Sequence, residues 1–171
     1  MEYINLKEIC SIRTGKLDAN AAVENGKYPF FTCAKEPSKI DTYAYDCDCV
    51  LLAGNGEFNV NMYSGKFNAY QRTYIIEVLD CKKYSLKFVY YLIKNSISHF
   101  KKVSNGGIIK FIKLGDIQNI QFPNISRDEQ DRIVSELECL DNNLLLNTKQ
   151  IGLHDELIKS RFIDLEVAYY V

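Results

Sequence analysis

Ser126-Arg127-Asp128-Glu129-Gln130-Asp131-Arg132-Ile133-Val134, the stretch whose reading decides the architecture, opens a long helix. Its Ser-x-x-Glu form is a capping box, in which cap and third-residue side chains satisfy each other's free backbone donors. Upstream, Pro123 closes the apolar run Ile117–Phe122, which reads as a strand that stops before the cap. Downstream, Ile133, Leu137, Leu140, Leu144, Ile151 and Ile158 recur at steps of four and three, and Asn147 and His154 fill the two remaining places. That is a heptad seam. A helix from Arg127 to Phe162 spans roughly 50 Å at about 1.5 Å per residue. A domain of this size cannot cover the whole seam, so the helix is expected to project and to need a partner. Residues 126–163 are assigned to it, 1–125 to the preceding domain and 164–171 to a tail.

Net charge −1 hides an asymmetry. Residues 1–125 carry 16 basic and 12 acidic side chains, and residues 126–171 carry 5 and 10. Between Asp80 and Asp116, Lys82, Lys83, Lys87, Lys94, Lys101, Lys102, Lys110 and Lys113 occur without one acid. Such a cluster is either a solvated face or a surface for phosphates. No apolar run approaches the roughly 20 residues that cross a bilayer, and Met1–Arg13 has no signal-peptide core, so a cytoplasmic protein is expected. Six cysteines without a Cys-x-x-Cys pair, and only two histidines, read as reduced thiols rather than a metal site.

Before the helix the chain reads as α+β. Strands are expected at Tyr28–Cys33, Cys49–Ala53, Val60–Tyr63 and Thr73–Leu79, with a turn at Ser64-Gly65-Lys66. Ser85–Phe100 has helical spacing, while Ile108–Ile112 and Ile117–Phe122 read as extended. Ile4-Asn5-Leu6-Lys7-Glu8-Ile9-Cys10-Ser11-Ile12 is echoed by Ile112-Lys113-Leu114-Gly115-Asp116-Ile117-Gln118-Asn119-Ile120, which suggests a duplicated element.

Catalytic motifs are missing. Gly15-Lys16 lacks the rest of a phosphate-binding loop, and Gly54-Asn55-Gly56 lacks the third glycine of a dinucleotide fingerprint. No Asn/Asp-Pro-Pro-Tyr/Phe box occurs, and two histidines leave no convincing nucleophile–base arrangement. The chain reads as a non-enzyme with no cofactor. What remains is three polar loops: Gly54-Asn55-Gly56-Glu57-Phe58-Asn59, Ala69-Tyr70-Gln71-Arg72 and Ser104-Asn105-Gly106-Gly107, with Lys110 just beyond. Asn, Gln and Arg pair with base edges in the major groove, and Lys suits phosphates. Each loop alone reads first as a turn.

On these residues the chain resembles the specificity subunits of type I restriction–modification systems. The likeness runs through Leu6–Lys16, Tyr28–Thr32, Leu51–Gly56, Gln71–Tyr74, Asn105–Ile109 and the block Phe122-Pro123 to Asp128-Glu129-Gln130-x-x-Ile133-Val134. The resemblance implies a compact mixed α/β target recognition domain that reads half of an interrupted DNA site, followed by one coiled-coil-forming helix. It implies that the subunit is non-catalytic, with S-adenosylmethionine bound elsewhere, and that methyltransferase and restriction subunits are its partners. Members usually carry two recognition domains and two such helices, and this chain has one of each. Double-stranded DNA is then the expected ligand, with base reading from Asn55, Asn59, Gln71, Arg72 and Asn105. Lys16, Lys101, Lys102 and Lys110 would contact the DNA backbone, and Gly106 and Gly107 belong to the same DNA-binding set, where glycine lets the chain approach a ligand closely. Two copies are expected to pair through antiparallel helices into a homodimer. The alternative is a coiled-coil interaction or regulatory half-subunit without DNA binding of its own.

Overall fold

A computed structural model describes residues 2–107 and 109–169, with side chains through Phe162. By compactness the chain divides into Met1–Asp131 and Arg132–Val171.

The first unit is built on a six-stranded sheet. In chain order the strands are β1 (Tyr3–Asn5), β2 (Cys10–Thr14), β3 (Tyr28–Phe31), β4 (Ser38–Ile40), β5 (Tyr45–Ala53), β6 (Val60–Ala69), β7 (Thr73–Val78) and β8 (Gln121–Pro123). The large sheet runs β2-β7-β5-β6-β3-β4, antiparallel except where β3 joins β6. Alternation along β5 explains its two faces. Tyr45, Cys49 and Leu51 pack with Phe31, Phe67 and Ile75 in an aromatic-rich cluster. Val50, Leu52 and Ile76, on the other face, are fully buried. Helix α2 (Leu86–Asn95), capped by Ser85, packs on β5, β6 and β7 and buries Phe88, Val89 and Ile93.

The internal echo is real at the level of backbone chemistry. The helices α1 (Leu6–Ile9) and α4 (Leu114–Gln118) start alike, each with an acid reaching back to the residue that precedes it. The Asn5 amide donates to Glu8 Oε1 at 2.7 Å, and the Lys113 amide donates to Asp116 Oδ2 at 2.8 Å. The Asn5 hydrogen bonds hold the Glu8 carboxyl below its ordinary range. The two turns pack together, the Leu6 amide donates to the Ile120 carbonyl at 2.9 Å, and β1 pairs with β8. The segment that leads into the long helix is thereby tied to the chain's beginning.

Several sequence expectations are corrected. Ser64-Gly65-Lys66 is no turn but the middle of β6, where Gly65, at φ +114°, pairs with Cys47. Pairing along the whole of β5 outweighs the local turn signal. Ile117 is helical rather than extended, because the Lys113–Asp116 cap nucleates α4, and only Gln121–Pro123 form a strand. Of Ile108–Ile112, Ile108 lies outside the described residues, and Phe111 makes isolated bridges only. Ser85–Phe100 is two helices, since α3 (Ile97–Val103) restarts after Ser96, whose hydroxyl donates to the Leu92 carbonyl.

The long helix α5 (Arg127–Tyr169) begins as the cap motif dictates, with the Glu129 amide donating to Ser126 Oγ at 3.3 Å. It continues past Phe162 into the stretch assigned to a tail, of which 170–171 lie outside the described residues. Its first turn is anchored by Gln130, a fully buried polar side chain. Gln130 Oε1 accepts from the Ser85 amide at 2.9 Å, and Nε2 donates to the Lys83 and Ile125 carbonyls at 3.1 Å each. Arg127 adds a bond to the Cys81 carbonyl at 2.6 Å and a fork onto Asp131. A buried amide with its groups paired costs little, whereas the same amide unpaired would be expensive.

Candidate nucleic-acid interface

The three polar loops, far apart in sequence, meet through Phe111 and Gly54. Its amide and carbonyl exchange hydrogen bonds with Asn105, at 2.8 and 2.9 Å, and it also bridges Asn55. On either side of it, the Gly56 amide donates to the Lys110 carbonyl at 3.1 Å and the Ile112 amide donates to Gly54 at 3.0 Å. The third loop joins through the Gly54 amide, which donates to the Arg72 carbonyl at 2.7 Å. Gly54 is obligatory there, because a Cβ would lie 2.5 Å from that carbonyl oxygen. The 70–72 turn is itself pinned: the Tyr70 amide donates to Phe31 and the Gln71 amide to Leu17, at 2.9 and 2.8 Å. Backbone that is fixed on both sides presents its side chains without an ordering cost on binding.

Exposure sorts the expected readers. Gln71, Arg72 and Asn105 are exposed, and Asn55 is half-buried beside Phe111. Asn59 plays another part. Its side-chain amide donates to the Cys33 carbonyl at 3.1 Å, and its carbonyl accepts from the Ala53 amide. It closes the 54–59 loop, in which Gly56 (φ +74°) and Phe58 (φ +55°) are left-handed. That conformation is unfavourable for Phe, and the complete burial of its ring holds it. Gly106 is left-handed too, and a Cβ there would meet the Ile109 carbonyl oxygen at 2.4 Å. Cys33 lies beneath Arg72, its thiol pushed up by burial.

Two concavities flank Phe111. One, about 340 Å³, is lined by Thr14, Gln71, Arg72, Tyr74 and Lys113 among others. The other, about 400 Å³, is lined by Phe58, Lys101, Gly107, Ile109 and Lys110. Lys16 sits on the exposed bend whose Gly15 amide donates to Thr73, beside the 70–72 turn. Lys101 pairs with Glu57 at 3.5 Å, and Lys102 and Lys110 are exposed. Some of the acid-free lysines are engaged by rings: Lys83 rests over Tyr84, and Lys94 over Tyr90 and Tyr91. Phe111 and Thr14 carry no such signal in the sequence. For Phe111 no local pattern exists, because its partners are 6 and 56 residues away.

Helix α5 makes a second surface. Ile133 and Leu137 are half-buried, while Leu140, Leu144, Asn147, Ile151, His154 and Ile158 are all exposed. At about 100° per residue they form one stripe. Leu146, Leu153 and Leu157, equally exposed, form a second line roughly 130° round the helix from the first. The two lines face different directions, so the apolar surface is wider than a single seam.

Comparison with known proteins converges on one family. A family model for the type I restriction modification DNA specificity domain matches residues 1–153. The chain is 45% identical over 137 residues to the type I restriction enzyme EcoDI specificity subunit of Escherichia coli, covering 80% of this chain and 30% of that protein. A putative type I specificity subunit of Mycoplasma pneumoniae is 32% identical over 100 residues, covering 54% of this chain and 40% of that protein. The fold is that of the type I restriction–modification S subunit from M. genitalium, with TM-score 0.71 at 21% identity over 84% of this chain and 39% of that one. It is also that of an HsdS subunit from Thermoanaerobacter tengcongensis, with TM-score 0.64 at 16% identity over 84% and 38%. The chain thus spans less than half the length of these relatives.

Proposed function

The chain belongs to the type I restriction–modification DNA specificity family, and from that premise we propose that it reads one half of an interrupted duplex target without catalysing any reaction. Methylation and cleavage belong to partner subunits that it positions. The observation that carries this reading is the junction at Phe111 and Gly54, which brings three loops bearing Asn55, Gln71, Arg72 and Asn105 onto one rigid support. Arg72, Gln71, Asn55 and Asn105 read base edges, Asn59 shapes the loop, and Lys16, Lys101, Lys102 and Lys110 meet phosphates. Helix α5 supplies the assembly surface. Its long seam pairs with the same seam of a second copy in an antiparallel, two-fold manner, and the Leu146/Leu153/Leu157 stripe receives a methyltransferase helix. Asn147 and His154 fix the register.

The test is duplex binding with the methyltransferase subunit present. Arg72→Ala weakens the preferred site by about 1–3 kcal/mol and relaxes preference at one position. Lys102→Ala weakens all sequences alike and flattens the salt dependence. If both bind as wild type, the surface is misplaced. If the wild type pairs but binds no duplex, the chain is an interaction module only. For the pairing, Leu144→Asp with Ile151→Asp gives folded monomers of half the mass by light scattering.

A further inference from the structure

We propose that Ile109 reads the 5-methyl group of a thymine in the recognised half-site; the inference rests on the DNA-reading function above and names one of its contacts. Ile109 is 63% exposed, among the most exposed large apolar side chains of its unit. An isolated exposed aliphatic residue ordinarily means nothing, but this one is held in place. Its carbonyl oxygen is so close to Gly106 that only glycine fits there. The next residue's carbonyl accepts from the Gly56 amide, and the Asn105–Phe111 pair closes the segment. The side chain is β-branched and stiff about χ1, so it loses little freedom on burial. It lines the concavity that also contains Lys101 and Lys110. A duplex whose phosphates meet those two lysines would cover it.

The chemistry of its neighbours selects the ligand. Asn55 and Asn105, joined to the same Phe111, suit the N6/N7 edge of adenine in the major groove. Across an A·T pair that groove also displays the thymine methyl, its one apolar feature. The minor groove, where apolar wedges separate bases, offers no methyl. An amide and an aliphatic side chain joined to the same Phe111 pairing therefore match one A·T pair, or two adjacent ones, better than they match a wedge.

The experiment uses the full chain with its methyltransferase subunit and a duplex selected from a random pool. Each thymine is replaced singly by uracil, which deletes the methyl and leaves pairing intact. At one position uracil weakens wild-type binding about fourfold, the loss of one buried methyl, and Ile109→Ala binds the thymine and uracil duplexes equally. Ile109→Ala retains wild-type circular dichroism, because the side chain is exposed. Uniform tolerance of uracil overturns the contact while leaving DNA reading intact. Sensitivity that persists in Ile109→Ala assigns the methyl to another residue and overturns it as well. A selected half-site with no A·T pair does the same. Absence of any duplex binding instead overturns the reading on which the contact rests.

Discussion

The sheet-built unit and the helix handle apolar side chains in opposite ways. In Met1–Asp131 the sheet buries Phe67 completely against the rings of Phe31, Tyr45 and Tyr63, and even the loops are tied to one another through their backbones. In Arg132–Val171 leucines and isoleucines stand in water, Leu144 at 64% and Leu153 at 65% exposure. The first unit has finished its folding within the chain. The second exposes apolar area to water, and such exposed patches mark binding surfaces. A sequence can thus encode an interior and an interface with the same residues, and their spacing separates the two.

The sharpest way to break this comparison is a matched pair of deletions. Phe67→Ala lowers stability by about 3–5 kcal/mol, as large-to-small changes do in cores. Leu144→Ala in dilute protein changes it by less than about 0.5 kcal/mol. Urea denaturation checks both, and equal losses would mean that the helix is packed after all. Next comes Gln130→Ala, which strips partners from the Ser85 amide and from the Lys83 and Ile125 carbonyls. It costs about 2–3 kcal/mol, and Gln130→Glu, which keeps the acceptor but not the donors, recovers only part. Gly54→Ala forces a Cβ against the Arg72 carbonyl and costs about 1–3 kcal/mol. It also reduces duplex affinity while leaving the light-scattering mass unchanged, which separates reading from assembly.

The smallest effect concerns the thiols. Burial pushes Cys10 up to about 12 and raises Cys49 further, so both stay neutral and inert at pH 8. Mass spectrometry after brief iodoacetamide treatment finds Cys81 and Cys139, both exposed, modified first. Cys139 shares the Leu146/Leu153/Leu157 side of the helix, at about 100° per residue. It becomes protected when the methyltransferase subunit binds.

What is legible in the sequence alone follows the range of the forces involved. The start of α5 was legible because a cap is a four-residue interaction. The seam was legible because a helix repeats itself, and the family likeness, which the comparisons bear out, ran through six stretches of which this block is the most specific. The Ile-x-Leu-x-acid-Ile echo was legible as a pattern, but its product was mistaken for a strand at Ile117, since the acid's role as a cap outweighs the extended preference of isoleucine. Gly65 failed as a turn signal for a related reason: eight cross-strand pairs held β6 straight through it. The junction at Phe111 was illegible. Its bonds are backbone bonds between loops, and backbone has no sequence. Asn59 illustrates the same limit, because an amide that reads a base and an amide that closes a loop are the same residue until its partner is seen.

One measurement tests most directly the claim that a finished reader and an unfinished helix together make half of a recognition device. Duplexes bound by the intact chain with its methyltransferase subunit are selected from a random pool and sequenced. The account predicts two identical half-sites in inverted orientation with an unread gap between them, and loss of one half-site from the enriched sequences when Leu144→Asp and Ile151→Asp are introduced together. A single uninterrupted site, unchanged by the double substitution, would contradict it.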